Sequence, residues 1–184
     1  MFTNDWFGIT GKANFEKYVA PLSPADSLEI GCYEGRASVW LMEHSLTNLT
    51  VIDTFKGSDE HDAQFETTML KRFEENIEPH KERVVIKVGT SQHFLREIPI
   101  AGQYDFIYID GAHYAMNALE DAVLAFPLLK EGGIMIFDDY TWGRGMNPLD
   151  IPSTGTDAFL HIYGNKLTVL EKNSQVVIQK NTSK

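Results

Sequence analysis

Two short strings in this sequence bring carboxylates and an imidazole close together: Tyr108-Ile109-Asp110-Gly111-Ala112-His113, and Ile134-Met135-Ile136-Phe137-Asp138-Asp139. In each, an apolar run of strand length precedes the acids, so the acids fall where a strand ends. Asp110, Asp138 and Asp139 are hard oxygen donors. An all-carboxylate set without cysteine suits Mg²⁺ better than a soft metal, with water or substrate oxygens completing the octahedron. His113, three residues past Asp110, titrates near neutrality and has the chemistry of a general base. Each string also has a plain structural reading: Asp110-Gly111 as a turn, Asp138-Asp139 as a solvated strand end, His113 as a residue at a helix start.

A second group of residues lies nearer the N-terminus. The segment from Glu29 through Gly31, Cys32, Tyr33, Glu34 and Gly35 to Ser38 puts two glycines four apart where a strand turns into a helix, so a ligand can come close to the backbone. The spacing is not that of a dinucleotide turn, whose pyrophosphate needs bare amides at a helix start. Glu29 and Glu34 instead bring negative charge, which favours a cation such as the sulfonium and ammonium of S-adenosylmethionine. At the end of the next strand Asp53 is placed to take both ribose hydroxyls, with Thr54 beside it. Gly89-Thr90-Ser91 then offers a polar rim for adenine. The expected cofactor set is Glu29, Gly31, Tyr33, Gly35, Ser38, Asp53, Thr54, Thr90, Ser91 and Asp110. Taken alone, the turn also reads as a tight connection without a ligand and Asp53 as a solvated acid; their combination carries the reading.

These residues must be held by regular elements. Short apolar runs at Ser27–Ile30, Leu49–Asp53, Val84–Val88, Phe106–Ile109 and Ile134–Phe137 alternate with helix-period segments at 37–45, 65–77 and 115–129, the pattern of βαβ units on a parallel sheet. Gly132-Gly133 is expected to stop the last of these helices and open the fifth strand. Trp142-Gly143-Arg144-Gly145 with Pro148 and Pro152 predicts a loop over 140–156 on the substrate side. The run 166–180 predicts an antiparallel hairpin turning at Lys172-Asn173-Ser174. Residues 1–26 read as an N-terminal helical segment whose Trp6, Phe7 and Phe15 pack on the sheet edge, and 181–184 as a loose tail.

The chain has 184 residues, 43% hydrophobic and 23% charged, which suits one domain with one core. Sixteen basic against 26 acidic residues give a net charge of −10, which argues against nucleic acid as a partner. The lone Cys32 excludes an intrachain disulfide and a cysteine-built zinc site, and it reads as a small buried filler rather than a nucleophile. No apolar run is long enough for a membrane span, and Met1 to Trp6 lacks the order of a signal peptide, so a soluble, cytoplasmic protein without membrane partners is expected.

The strings Glu29 to Gly35, Val51-Ile52-Asp53-Thr54-Phe55-Lys56-Gly57, Gly89-Thr90-Ser91, Tyr108 to His113 and Gly132 to Asp139 resemble the class I methyltransferases over about residues 27–139. Within that class they are most similar to the metal-dependent sugar O-methyltransferases typified by macrocin O-methyltransferase. The resemblance implies a Rossmann-like, doubly wound α/β sheet of seven strands in the order 3-2-1-4-5-7-6, strand 7 antiparallel. In that order strands four and five are neighbours, which brings Asp110, Asp138 and Asp139 together beside the switch point. It further implies that these three acids hold Mg²⁺ and that His113 is the base in O-methylation of a small hydroxylated acceptor such as a sugar.

The acceptor side is expected from Lys56 to Phe65, with Asp59-Glu60-His61-Asp62, and from 140–155, with Trp142 and Arg144. Little chain precedes the first strand to form a cap. A small acceptor is expected, or a homo-oligomer in which a second subunit completes the site. Three other readings stay open: a non-catalytic S-adenosylmethionine-binding or nucleotide-binding protein, a nicotinamide-dependent oxidoreductase on the same fold, and a metal-independent methyltransferase.

Overall fold

The computed structural model of the protein describes residues 2–57, 68–99 and 102–182. Seven strands form one sheet: β1 Asp26–Ile30, β2 Asn48–Asp53, β3 Val84–Val88, β4 Tyr104–Ile109, β5 Leu129–Phe137, β6 Leu167–Lys172 and β7 Val176–Lys180. Their order is β3-β2-β1-β4-β5-β7-β6. The first five are parallel, and β7 runs antiparallel to both β5 and β6. This is the order the resemblance implies.

The period-2 alternation of the strands divides the core into two halves. Phe106, Tyr108, Ile134 and Ile136 face a layer made by the helical run 7–22 and the helices Arg36–His44 and Met69–Ile77. Ile107, Ile109, Met135 and Phe137 face the helices Ser91–Glu97, Ala115–Ala125 and Pro152–Tyr163. Because both faces are covered, the central strands are mostly apolar, as parallel strands are, with Ser27 and Glu29 of β1 as buried polar exceptions. The catalytically interesting edge is therefore the row of strand C-terminal ends, where loops emerge between the two helical layers.

Several sequence expectations need correction. The N-terminal helical run packs on the middle of the sheet, not its edge: Phe15, fully buried, meets Trp40, Phe106 and Tyr108 edge-on with ring centroids 5.5, 5.3 and 4.9 Å apart. Two turns of that run, Phe7–Gly11 and Phe15–Val19, are π-wound. The helix expected over 115–129 ends at Ala125, and β5 begins at Leu129, so Gly132-Gly133 lies inside the strand. There the pairing with β4 shifts register between Tyr104 and Phe106, and Gly132 takes φ +78°. The glycine pair marks an irregular step in the ladder rather than a boundary.

Pro152 does not prolong a loop; it opens the helix Pro152–Tyr163, where its missing N–H is no loss and its fixed φ suits the first turn. Ser91–Glu97 forms a helix that the sequence pattern did not suggest. The helix expected over 65–77 is described as Met69–Ile77. Asn181 is tied to the hairpin, its amide donating to Lys166 and its side chain accepting from Thr168, so the tail is anchored at least this far.

Candidate functional site

The glycine turn is built for close approach of two strand ends. Gly31 has φ +78°, and a methyl group there would run into the backbone carbonyl oxygen of Asp110 at the end of β4. Tyr33 is held at φ +50°, a conformation costly for a non-glycine residue. Asp53 secures it: one carboxylate oxygen accepts from the amides of Cys32 and Tyr33 at 2.8 and 3.1 Å, and the other accepts from the Phe55 amide at 2.7 Å. The acid expected to bind ribose thus sets the shape of the turn, and it borders the cavity described below.

Three residues of the expected cofactor set lie behind this wall and not on it. Glu29 is fully buried and accepts from the Ser38 hydroxyl at 2.5 Å. Burial, opposed only by that hydrogen bond, pushes its pKa up to about 8, so it is a largely neutral acid at pH 7 and not the cation-attracting charge read from the sequence. Gly35, at φ +82°, keeps the turn close to the ring of Phe73, which a methyl group would meet at 2.8 Å. The charge of the buried Glu34 is answered locally by Arg72 at 2.7 Å, by the Thr3 amide at 2.6 Å and by the Thr3 hydroxyl at 2.8 Å. Burial alone would raise its pKa, but these partners hold it low.

A cavity of about 870 Å³ runs along the strand ends. Its first half is bordered by Gly31, Tyr33, Asp53 and Thr54, then by Thr90 and Ser91; its second by Asp110, His113, Asp138, Asp139 and Trp142. The structure therefore brings together all the remaining sequence-derived residues. Of the expected acceptor-side segments, Phe55, Gly57 and Trp142 border the cavity, while the run Asp59 to Asp62 lies outside the described residues.

Within the second half, one ligand atom each from Asp110, His113 and Asp139 fall within 4.8 Å of one another. His113 Nε2 is 2.8 Å from an Asp139 carboxylate oxygen, and its ring lies 4.7 Å from that of Trp142. Asp139 adopts φ +53°, a strained conformation for a residue other than glycine. Asp138, grouped with the metal acids in the sequence reading, is engaged elsewhere. Its carboxylate accepts the Tyr108 hydroxyl and, at 2.7 Å, the Asp139 amide. Burial and then the Asp139 charge push its pKa up to about 6, and burial with both neighbouring acids raises that of Asp110 well above the usual range. The gathered donors are thus Asp110, Asp139 and His113, with Asp138 bracing Asp139 from behind.

Some cavity residues were not foreseen. Asn4, Trp6 and Thr10 reach it from the N-terminal segment, and Trp6 lies against Tyr33 with ring centroids 5.1 Å apart. Asp121 reaches it from the helix Ala115–Ala125. A sequence signal for Asp121 exists: it is an acid on a buried stripe of alanines, Ala115, Ala118, Ala122 and Ala125, where charge is out of place.

Comparison with known proteins agrees with this geometry. The methyltransferase domain family matches residues 28–140. No curated protein sequence matches the chain significantly. Among solved structures, an O-methyltransferase from Klebsiella pneumoniae, itself assigned only provisionally, superposes with TM-score 0.71 at 19% identity, covering 93% of this chain and 80% of that one. The O-methyltransferase TomG of tomaymycin synthesis from Streptomyces achromogenes, bound to S-adenosylmethionine, gives 0.70 at 16% identity, with 91% and 78% covered. An O-methyltransferase from Bacillus cereus bound to S-adenosylhomocysteine gives 0.66 at 19%, with 90% and 79% covered. The chain belongs to the methyltransferase domain family, and its sheet order is that of a Rossmann-like methyltransferase fold.

Proposed function

We propose that the protein transfers the methyl group of S-adenosylmethionine to a hydroxyl oxygen of a small acceptor, such as a sugar, and that His113 is the base. The observation that carries this reading is the His113–Asp139 contact at 2.8 Å, set in the same cavity as Asp53 and the glycine turn. The donor's ribose lies toward Asp53 and Thr54, its adenine toward Thr90 and Ser91, and its amino-acid end toward Gly31 and Asp110. The sulfonium methyl then faces the His113 end. The acceptor oxygen attacks that methyl in line as the sulfur leaves, and His113 takes the hydroxyl proton. Asp139 fixes the imidazole orientation and stabilises the imidazolium that forms. Trp142 and Trp6 border the acceptor's place, and they help to keep water from the reacting atoms.

The donors of Asp110 and Asp139, partly buried and close together, suit a hard divalent cation, and they would hold Mg²⁺ with acceptor oxygens or water completing its shell. Bound there, Mg²⁺ would lower the pKa of an acceptor hydroxyl. The macrocin-type similarity supports both the metal and the sugar. The lone buried cysteine supports a reducing compartment, the cytoplasm; among the described residues no helix is long and apolar enough to cross a membrane.

A labelled-methyl transfer assay over sugars, catechols and small polyols, with Mg²⁺ and with excess chelator, tests the proposal. Transfer to a hydroxylated acceptor is expected, with activity lost to chelator and restored by Mg²⁺. Activity that persists in chelator would make the enzyme metal-independent. Calorimetry that detects NAD but not S-adenosylhomocysteine would replace the reading with an oxidoreductase.

A further inference from the structure

Behind the cavity, the turn of the C-terminal hairpin meets the loop that carries Asp138 and Asp139. In the ladder of β5 with β7, Phe137 pairs with Val176, so the next residues outward, Asp138 and Gln175, stand opposite each other. The Tyr140 amide donates to the Ser174 carbonyl at 2.9 Å, which ties the loop to the turn a second time. Gln175 is fully buried. Its backbone amide donates to the Asn173 side chain at 2.9 Å, and its Oε1 accepts from Asn14 Nδ2, in the N-terminal helical run, also at 2.9 Å. That bond fixes which way the amide faces: the oxygen meets Asn14, and the N–H₂ is left for a second partner. Nε2 closes no hydrogen bond among the described residues, and the carboxylate within its reach is that of Asp138, whose charged form it favours. A buried donor left open is costly, and each one calls for an explanation.

Asp138 is where that donor acts. It also accepts the Tyr108 hydroxyl and the Asp139 amide, and the second of these bonds holds Asp139 at φ +53°. A residue in so sparsely populated a region persists only when its surroundings over-determine it. Asp139 in turn meets His113 Nε2. We propose that Gln175 is a positioning residue for the base: anchored by Asn14, it gives its N–H₂ to Asp138 in the working enzyme and so holds Asp139 against His113. The inference rests on the reading of His113 as the base of methyl transfer. Hydrogen bonds around a catalytic group are often long before substrate arrives and tighten in the complex, which accounts for a donor that faces its acceptor without closing on it. A hydrogen bond to a charged acceptor is stronger than one between neutral groups, so a third donor bears on where Asp138 rests. The chain from Asn14 through Gln175, Asp138 and Asp139 to His113 joins both ends of the sequence to the reacting group.

The test follows the proton NMR signal of the His113 ring N–H bound to Asp139, a downfield resonance identified by its absence in His113→Ala, in the full chain with S-adenosylhomocysteine added. Two variants probe it. Gln175→Met keeps the length of the side chain and removes the donor. Asn14→Asp keeps the shape of the pair and reverses its polarity, because the Gln175 N–H₂ must then turn to the new carboxylate and its oxygen toward Asp138. In both variants the resonance should be lost, while S-adenosylhomocysteine affinity stays within about threefold. On an acceptor that the wild type methylates, kcat should fall by roughly tenfold with little change in KM for the donor. A role confined to packing would change stability and leave the resonance in place. A resonance retained in either variant, once folded, overturns the inference and leaves His113 standing as the base. A crystal structure of the wild type with S-adenosylhomocysteine in which Gln175 Nε2 turns away from Asp138 overturns it whether or not the variants fold. If the wild type itself lacks the resonance, the His113–Asp139 contact fails, and the reading of the base falls together with this inference.

Discussion

The two halves of the cavity are held in different ways. At the Asp53 end, geometry comes from backbone: one carboxylate gathers three main-chain amides, and Gly31 lies directly against the carbonyl of Asp110. At the His113 end, geometry comes from side chains on the loops after β4 and β5, with His113 24% and Asp139 32% exposed and joined by one contact. A half built from main-chain hydrogen bonds forms as the sheet forms. A half built from partly exposed side chains can be altered without disturbing the sheet, which suits a common donor and a variable acceptor.

The sharpest way to break this contrast is to remove the base. His113→Ala should cut turnover by roughly 10²- to 10⁴-fold while the dissociation constant for S-adenosylhomocysteine stays within about threefold. Comparable losses in both would show that the halves are not separable. Gly31→Ala attacks the other half through the backbone. With a positive φ and a carbonyl in the way, it should lower unfolding free energy by about 3 kcal/mol in urea titration. A variant as stable as the wild type would remove the packed joint between β1 and β4 from the account.

Asp53→Asn keeps the shape of the side chain but weakens its hold on the amides. It should cost about 2 kcal/mol of stability and roughly tenfold or more in S-adenosylhomocysteine affinity, read by denaturation and calorimetry. A loss of affinity alone would mean that Asp53 serves the ligand and not the turn.

The most gradual effect, spread over several pH units, lies in Glu29. Its folded pKa of about 8 stands above the ordinary 4.5, so the folded state keeps the proton longer than the unfolded chain. The stability linked to that proton is fully present below about pH 4.5 and is lost as pH rises toward 8. Relative to the wild type, Glu29→Gln should therefore gain about 1 kcal/mol per pH unit over that window. A pH-independent difference would mean that Glu29 is ionised in the folded protein.

The legible parts of the sequence were those where one local signal decides the outcome. Val84–Val88 is a strand in the reading and in the structure because a β-branched run has few alternatives. The hairpin at 166–180 was equally visible. Misreadings arose where tertiary contacts decide. Pro152 breaks a helix in mid-run and starts one at its first turn, and the sequence alone does not say which position it holds. Gly132-Gly133 looks like a helix stop until the pairing of β5 with β4 is known. The acids after β4 and β5 could be placed at strand ends, but which of them point at one another depends on Tyr108, whose hydroxyl draws Asp138 aside. Ser91–Glu97 was missed because, short and polar, it buries only Leu95 and shows little helical periodicity.

The clasp between Thr3 and Glu34 bears on how the protein should be handled. Thr3 anchors the leading segment to the first turn through two hydrogen bonds to Glu34, and Asn4 and Trp6 follow it directly into the cavity wall. A purification tag fused ahead of that segment would pull on the doorway of the reaction chamber, whereas one fused after β7 would emerge from the hairpin. Preparations that differ only in which terminus carries the tag should bind the methyl donor unequally.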